Sequence, residues 1–233
     1  MSMLILSVDS SATPASVCLY DGKVLAEYFI NTKLTHSQTL AAMIESVLQI
    51  TGIKAEDIDV FAVNNGPGSF TGVRIGVSAV KGMAYALDKP CAAVSTLQSM
   101  AYNALAENAV ICACMDARRQ QVYNALFRIT DNKAIQLQND RAIAIDALTE
   151  ELKAFDEQVI LVGDGAELVY NSCKELKNIR LAPDNIRFQR ASSTAMIASE
   201  KAERGEVISA ATLMPSYLRL SQAERERLEK QKG

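Results

Sequence analysis

The chain has 233 residues, 49% of them hydrophobic and 22% charged. This composition excludes a disordered chain and is long enough for one large domain or two small lobes with separate cores. Its 24 basic and 27 acidic residues leave a net charge of −3, with 6 basic and 8 acidic residues in the first hundred. Neither half is the clustered cationic surface that nucleic-acid binding by counterion release requires, so an RNA substrate would need a partner to neutralise most of its phosphates.

A short apolar run from Met3 to Leu6 is broken at once by Ser7, Asp9, Ser10 and Ser11. With no basic lead and no long apolar core it predicts no export signal, and no later run approaches the ~20 apolar residues of a spanning helix. The expectation is a soluble, cytoplasmic protein that does not engage the membrane. Cys18, Cys91, Cys112, Cys114 and Cys173 are odd in number and scattered, which predicts reduced thiols. Period two puts Cys112 and Cys114 on one strand face. Core packing is the plainer account of that pair, a metal-ligand role the other.

In chain order, Leu4, Leu6 and Val8 alternate along a first strand, and apolar runs over 16–20 and 24–29 flank Asp21-Gly22, a strong hairpin signal. The opening is therefore predicted as a three-stranded antiparallel meander. Leu40, Met43, Ile44, Val47 and Leu48 recur at helical spacing from Ser37 to about Ile50, with Gly52 as the C-terminal cap. A strand over 60–64, a Gly-rich turn, a helix over about 73–87 and a short strand over 91–94 follow, and Ser95 caps a helix through Leu97, Met100 and Leu105.

The pattern then partly restarts. A strand over 110–115 ends in Asp116 much as the first ends in Asp9, strands over 122–129 and 134–137 flank the turn Asp131-Asn132, and a helix over 146–155 leads to a strand over 159–162. The turn Gly163 to Gly165, a helix through Leu168 and Leu176, a helix over 193–204, the run 213–220 and a charged tail complete the chain. Three strands followed by alternating helices and strands, given twice, describe two ribonuclease-H-like α/β lobes better than one doubly wound sheet. The expected division is 1–108, 109–212, and a C-terminal segment and tail over 213–233 that could return to the first lobe, with the crossover near Glu107 to Ala109.

Few segments could carry chemistry. Gly66, Pro67, Gly68, Ser69, Phe70, Thr71, Gly72, Val73, Arg74, Ile75 and Gly76 run from strand to helix. Their glycines either free backbone amides for an anion, with Ser69 or Thr71 capping the helix, or allow close packing. No Gly-Lys-Ser/Thr ends the loop, so it is not a P-loop. Gly72, Gly76, Ala79 and Gly82 form a small-residue stripe that would admit another helix, from this lobe or from a partner. Asp9, Ser10 and Ser11 form either a plain Asp/Ser turn or a degenerate phosphate turn, since the usual glycine is missing. Asp116 opens the second half at the corresponding place, followed by Arg118 and Arg119. His36 is the only histidine, too few for a paired-histidine metal site; local capping of a helix start is one role and substrate contact the other.

The order of segments resembles the bacterial TsaB (YeaZ) family nearly end to end. The resemblance is carried by Leu6-Ser7-Val8-Asp9-Ser10-Ser11, His36-Ser37-Gln38, the string from Gly66 to Gly76, Val94-Ser95-Thr96-Leu97, Met115-Asp116-Ala117-Arg118 and Pro215-Ser216-Tyr217-Leu218-Arg219. The first-strand Asp is shared by the whole actin-like ATPase (ASKHA) superfamily, whereas the Pro67 to Gly76 string is specific. The resemblance implies a noncatalytic subunit of the machinery that places threonylcarbamoyl on the adenosine beside the tRNA anticodon. In that family the paralogue TsaD performs the transfer and carries the metal-binding histidines. The ATPase TsaE joins the pair, and TsaC supplies the threonylcarbamoyl-adenylate. It further implies that ATP is used by the complex and that tRNA is met only through it. From the residues themselves, Ser10 and Ser11 in place of a turn glycine and Arg118 and Arg119 after Asp116 predict no nucleotide cofactor bound by this chain alone, and one histidine with scattered cysteines predicts no metal. The helices over about 37–50 and 73–87 are expected to present part of their surface, along the small-residue stripe, to another actin-like chain or, in its absence, to a second copy in a homodimer. Two other classes stand beside this scaffold: an actin-like small-molecule kinase or ATPase relying on Asp9 and Asp116, and a glycoprotease-like metallopeptidase, which the single histidine disfavours.

Overall fold

Leu6 and Val8 point to one side of the first strand and Ile5 to the other, and all three are fully buried, so this strand lies inside a sheet covered on both faces. In the computed structural model, which describes residues 3–32, 34–105, 109–131 and 133–219, β1 (Leu4–Asp9), β2 (Ala15–Asp21) and β3 (Val24–Ile30) form the expected antiparallel meander. Beyond α1 (His36–Thr51), β4 (Val60–Gly66) pairs parallel to β1, and beyond α2 (Phe70–Ala86), β5 (Cys91–Ser95) pairs parallel to β4. The five-stranded order is β3-β2-β1-β4-β5. Gly52 closes α1 in the left-handed conformation with its amide on Gln49 O, and Ser95 caps α3 (Thr96–Asn103) by accepting from the Gln98 amide.

The restart repeats this topology. β6 (Ala109–Asp116), β7 (Gln121–Thr130) and β8 (Lys133–Ala144) form a second meander, followed by α4 (Ile145–Leu152), β9 (Gln158–Val162), α5 (Ala166–Ser172) and β10 (Ile179–Leu181). The sheet order β10-β9-β6-β7-β8 is the first order read from the other edge. These are two α/β sheets, as the actin-like reading requires, not one continuous sheet. β8 runs well past the expected 134–137 because register shifts in its pairing with β7 absorb the extra residues between Gln136 and Arg141 and the pairing then continues to Ala144. α5 stops before Leu176, and β10 and the one-turn α6 (Asp184–Arg187) carry too few residues to show a period. The expected crossover over 107–109, the residue Asn132 and the charged tail from 220 onward fall wholly or partly outside the described residues.

The chain-order division needs one correction. α7 (Ala191–Glu203) lies after the second sheet in sequence yet packs Ala191, Ala195, Ile197 and Ala198 against Ile5, Cys18, Val60 and Val94 of the first. Reciprocally, α3 places Leu97, Met100 and Ala101 against Ile111, Ala113 and Phe127 of the second. Residue 212 is therefore not the end of a self-contained lobe. α7 docks there because its first amides have no cap of their own. Ser16 Oγ accepts from Ala191 N at 2.8 Å and Glu27 Oε1 from Ser192 N at 2.9 Å, both from first-sheet strands. The other faces are covered by α1 and α2 on the first sheet and by α4 and α5 on the second. Cys112 and Cys114, with sulfurs 3.5 Å apart, are buried in that last core, where burial holds the Cys112 thiol well above its ordinary pKa. No helix among the described residues is long and apolar enough to cross a membrane.

Candidate functional site

The ends of β1 and β6 face each other across a cleft of about 480 Å³ between the two sheets. Ser11, His36, Gly68, Asp116, Arg118 and Asp164 are among its walls. Asp9, the candidate at the end of β1, does not line it. It is fully buried, with Oδ1 accepting from the Ser11 amide and hydroxyl at 2.9 Å each and Oδ2 accepting from Asn64 Nδ2. Burial pushes its carboxyl above the usual range despite these donors. Asn64 Oδ1 in turn accepts from Thr194 Oγ1 at 3.0 Å, and Thr194 meets Ser99 Oγ at 3.1 Å, so the Asp9 carboxylate anchors a buried polar chain into α7 and α3.

The glycine loop is also committed internally. The Ser69 amide donates to Ser11 O at 2.6 Å, and the Gly72 and Val73 amides go to Ser69 Oγ and Ser69 O. Ser69, not Thr71, caps α2. A Cβ at Gly68 would collide with Ser11 O, one at Gly72 with Ser10 O, and one at Gly76 would stand 2.5 Å from Ser10 Oγ. Ser10 Oγ donates to Gly72 O at 2.8 Å. These glycines therefore let α2 approach the Asp9 to Ser11 turn, and the amides named above point at protein acceptors rather than at an anion. Gly66, at φ +124°, faces the other way, and a Cβ there would collide with Ser216 O. Pro67 follows it through a cis peptide bond.

Two expectations change here. Gly72 and Gly76 are buried against Ser10 and cannot contact a partner, because α2 needs them to reach its own sheet. Of the stripe, Ala79 is half-buried and Gly82 looks into open space. His36 is the first residue of α1 but caps nothing; Nε2 lies 2.7 Å from Ala12 O, tying α1 to the β1–β2 turn. The helix start is held by Gln38, whose Oε1 accepts from the Thr35 amide at 3.2 Å.

On the second sheet, Asp116 accepts from Arg118 N at 2.7 Å and pairs with the Arg118 guanidinium at 3.0 Å. Arg118, Arg119 and Gln120 are all left-handed, with φ between 55° and 63°, a run that only tight hairpin closure between β6 and β7 sustains. Asp164 accepts from the Asp116 amide at 3.3 Å; burial in the cleft, with the Asp116 carboxylate adding to it, pushes its own carboxyl up to about 6. The cleft wall thus presents the Asp116 and Asp164 carboxylates, with the Arg118 guanidinium paired to Asp116. Among the described residues no three His, Cys, Asp or Glu side chains gather as a metal-binding group.

The other feature is an apolar groove of about 460 Å³ between α1 and α2, floored by Leu40, Ile44, Leu48, Ile75, Ala79 and Met83. His36 lines both the groove and the cleft. From sequence, the helices over about 37–50 and 73–87 are expected to present part of their surface to a partner, and the groove lies between them. Leu40, Met43, Ile44, Val47 and Leu48 are the ordinary stripe of one core-facing helix, and Leu40 and Ile44, though buried in the first core, also reach the groove from its edge.

Comparison with known proteins agrees with this architecture. A sequence model of the family described as tRNA N6-adenosine threonylcarbamoyltransferase, TsaD, matches residues 23–227. The tRNA threonylcarbamoyladenosine biosynthesis protein TsaB of Bacillus subtilis is 32% identical over 99% of this chain and 100% of its own length. The chain belongs to the TsaB family. The TsaB of Escherichia coli is 28% identical over 93% of this chain and 95% of its own. The solved structure of YeaZ from Pseudomonas aeruginosa superposes with a TM-score of 0.80 at 26% identity, covering 93% of this chain and 100% of that one.

Proposed function

We propose that this chain is the noncatalytic partner subunit of the machinery that transfers threonylcarbamoyl to the anticodon-adjacent adenosine of tRNA, and that it acts by binding and activating TsaD. The observation that carries the proposal is the open groove between α1 and α2. It is a contiguous apolar surface on two long helices, the kind of patch that a helix pair on another actin-like chain covers. The burial of Asp9 and the internal use of the loop amides support a chain that binds no nucleotide alone, leaving ATP to the complex with TsaE. The near-neutral charge supports contact with tRNA only through that complex. In the absence of TsaD the same groove pairs with a second copy, so homodimer and heterodimer compete. The setting is the cytoplasm.

The test is a binding titration of TsaD against the chain and its Ala79→Glu variant. Ala79 lies on the groove floor, and a carboxylate there opposes burial of the patch. Affinity falls at least about tenfold while the melting temperature is kept. A folded Ala79→Glu protein with wild-type affinity would place the interface elsewhere. Calorimetry adds a second check: micromolar ATP binding by the chain alone would contradict the noncatalytic reading.

A further inference from the structure

The two sheets are joined at the closed end of the cleft by α3 and α7, each packed across from its own half of the chain. At the open end a different element spans the gap. After Leu213, fully buried in the first core, residues 214–219 run along the cleft mouth and supply Ser216, Tyr217, Leu218 and Arg219 to its walls. On the first lobe, the Ser216 amide donates to Asn65 O at 2.7 Å and Asn65 Nδ2 to Met214 O at 3.1 Å. Tyr217 stacks on Phe70 with ring centroids 4.6 Å apart and planes 22° from parallel. Arg74 lies 3.8 Å over the Phe70 ring and donates from Nε to the Tyr217 hydroxyl at 2.7 Å. On the second lobe, Arg219 Nη1 donates to Ala117 O at 3.1 Å.

We infer that residues 214–219 are a clasp that fixes the angle between the lobes, closing from within the chain the cleft that a nucleotide bridges in actin-like ATPases. The glycine loop then has two worked faces. Gly68 and Gly72 admit Ser10 and Ser11, while Asn65, Gly66, Phe70 and Arg74 form the seat of the clasp, and Gly66 carries no side chain because Ser216 O occupies that space. A hinge at α3 and α7 with a fastening at the far rim gives a few contacts leverage over a rigid-body motion. The aromatic stack and its cation–π partner form the stronger foot, and the single hydrogen bond from Arg219 the weaker.

The experiment uses the full chain with Lys23, exposed at the β2–β3 turn, and Lys174, exposed beyond α5, replaced by cysteine and labelled with a donor and acceptor dye. The five native thiols are buried. In the wild-type background the transfer efficiency forms one narrow distribution. In Tyr217→Ala/Arg219→Ala it broadens and its mean shifts, with the far-ultraviolet spectrum unchanged. Tyr217→Ala alone leaves the cores intact, and hydrogen exchange at the Ser216 amide, bonded to Asn65 O, accelerates by about tenfold. A folded double variant with the wild-type distribution, or a Tyr217→Ala chain in which Ser216 exchanges as before, would overturn the clasp. Both readouts use the chain without partners, so they stand apart from the TsaD proposal.

Discussion

Ser10 is the residue around which the N-terminal half is built, since Gly72 and Gly76 are small only because its carbonyl and hydroxyl stand where their Cβ atoms would go. Gly72→Ala drives a methyl into backbone and is expected to cost about 1–3 kcal/mol or more. Gly82→Ala, in open space on the same helix, is expected to stabilise by about 0.4–1 kcal/mol. Urea unfolding of the two variants separates buried from exposed members of the stripe. The stripe itself was legible in sequence; which members faced inward was not, because helical spacing gives relative angle and not the direction of the core. Asp164 supplies a pH prediction. Its folded-state pKa of about 6 lies above the ordinary carboxylate value, so the folded chain holds this proton more tightly. That contribution is present below about pH 4 and is lost as pH rises through 6. Asp164 keeps contact with water, so its effect on stability is small and the direct readout is carbon-detected NMR titration of the carboxyl. Asp116→Asn lowers the midpoint by removing the neighbouring charge. An unmoved midpoint would assign the shift to burial alone.

At the scale of elements, the meander, α1, β4 and the second meander follow from alternation, helical spacing and the Asp21-Gly22 turn, which are local signals. The exchange of α3 and α7 between sheets was not legible, since it depends on hydrogen bonds between residues far apart in the chain. Ser16 Oγ to Ala191 N is one of them. Ser16→Ala leaves that amide buried without an acceptor, an expected loss of about 1–2 kcal/mol in chemical denaturation. A loss of that size would identify the docking of α7 as a determinant of the first lobe, whereas no change would mean that the helix is held by its apolar face alone. The α1–α2 groove was half legible: a partner surface on these two helices, including Ala79, was expected from the small-residue stripe, but only the structure separates Met43 and Val47, which face the sheet, from Leu48, Ile75 and Met83 at the groove.

At the scale of the molecule, two sheets of the same strand order share a cleft, and the polar groups at its base are turned inward. Asp9 holds a buried polar chain, the glycine loop grips a serine turn and a terminal segment, and the apolar groove faces outward. The central claim proposed for a chain so arranged is that it acts through surface rather than through reacting groups. The most direct measurement is threonylcarbamoyl transfer to tRNA in a reconstituted system of TsaC, TsaD, TsaE and this chain. The account predicts that transfer collapses when the chain is omitted, returns when it is added, and returns only weakly with the folded Ala79→Glu variant. Full transfer in the system lacking the chain would contradict it.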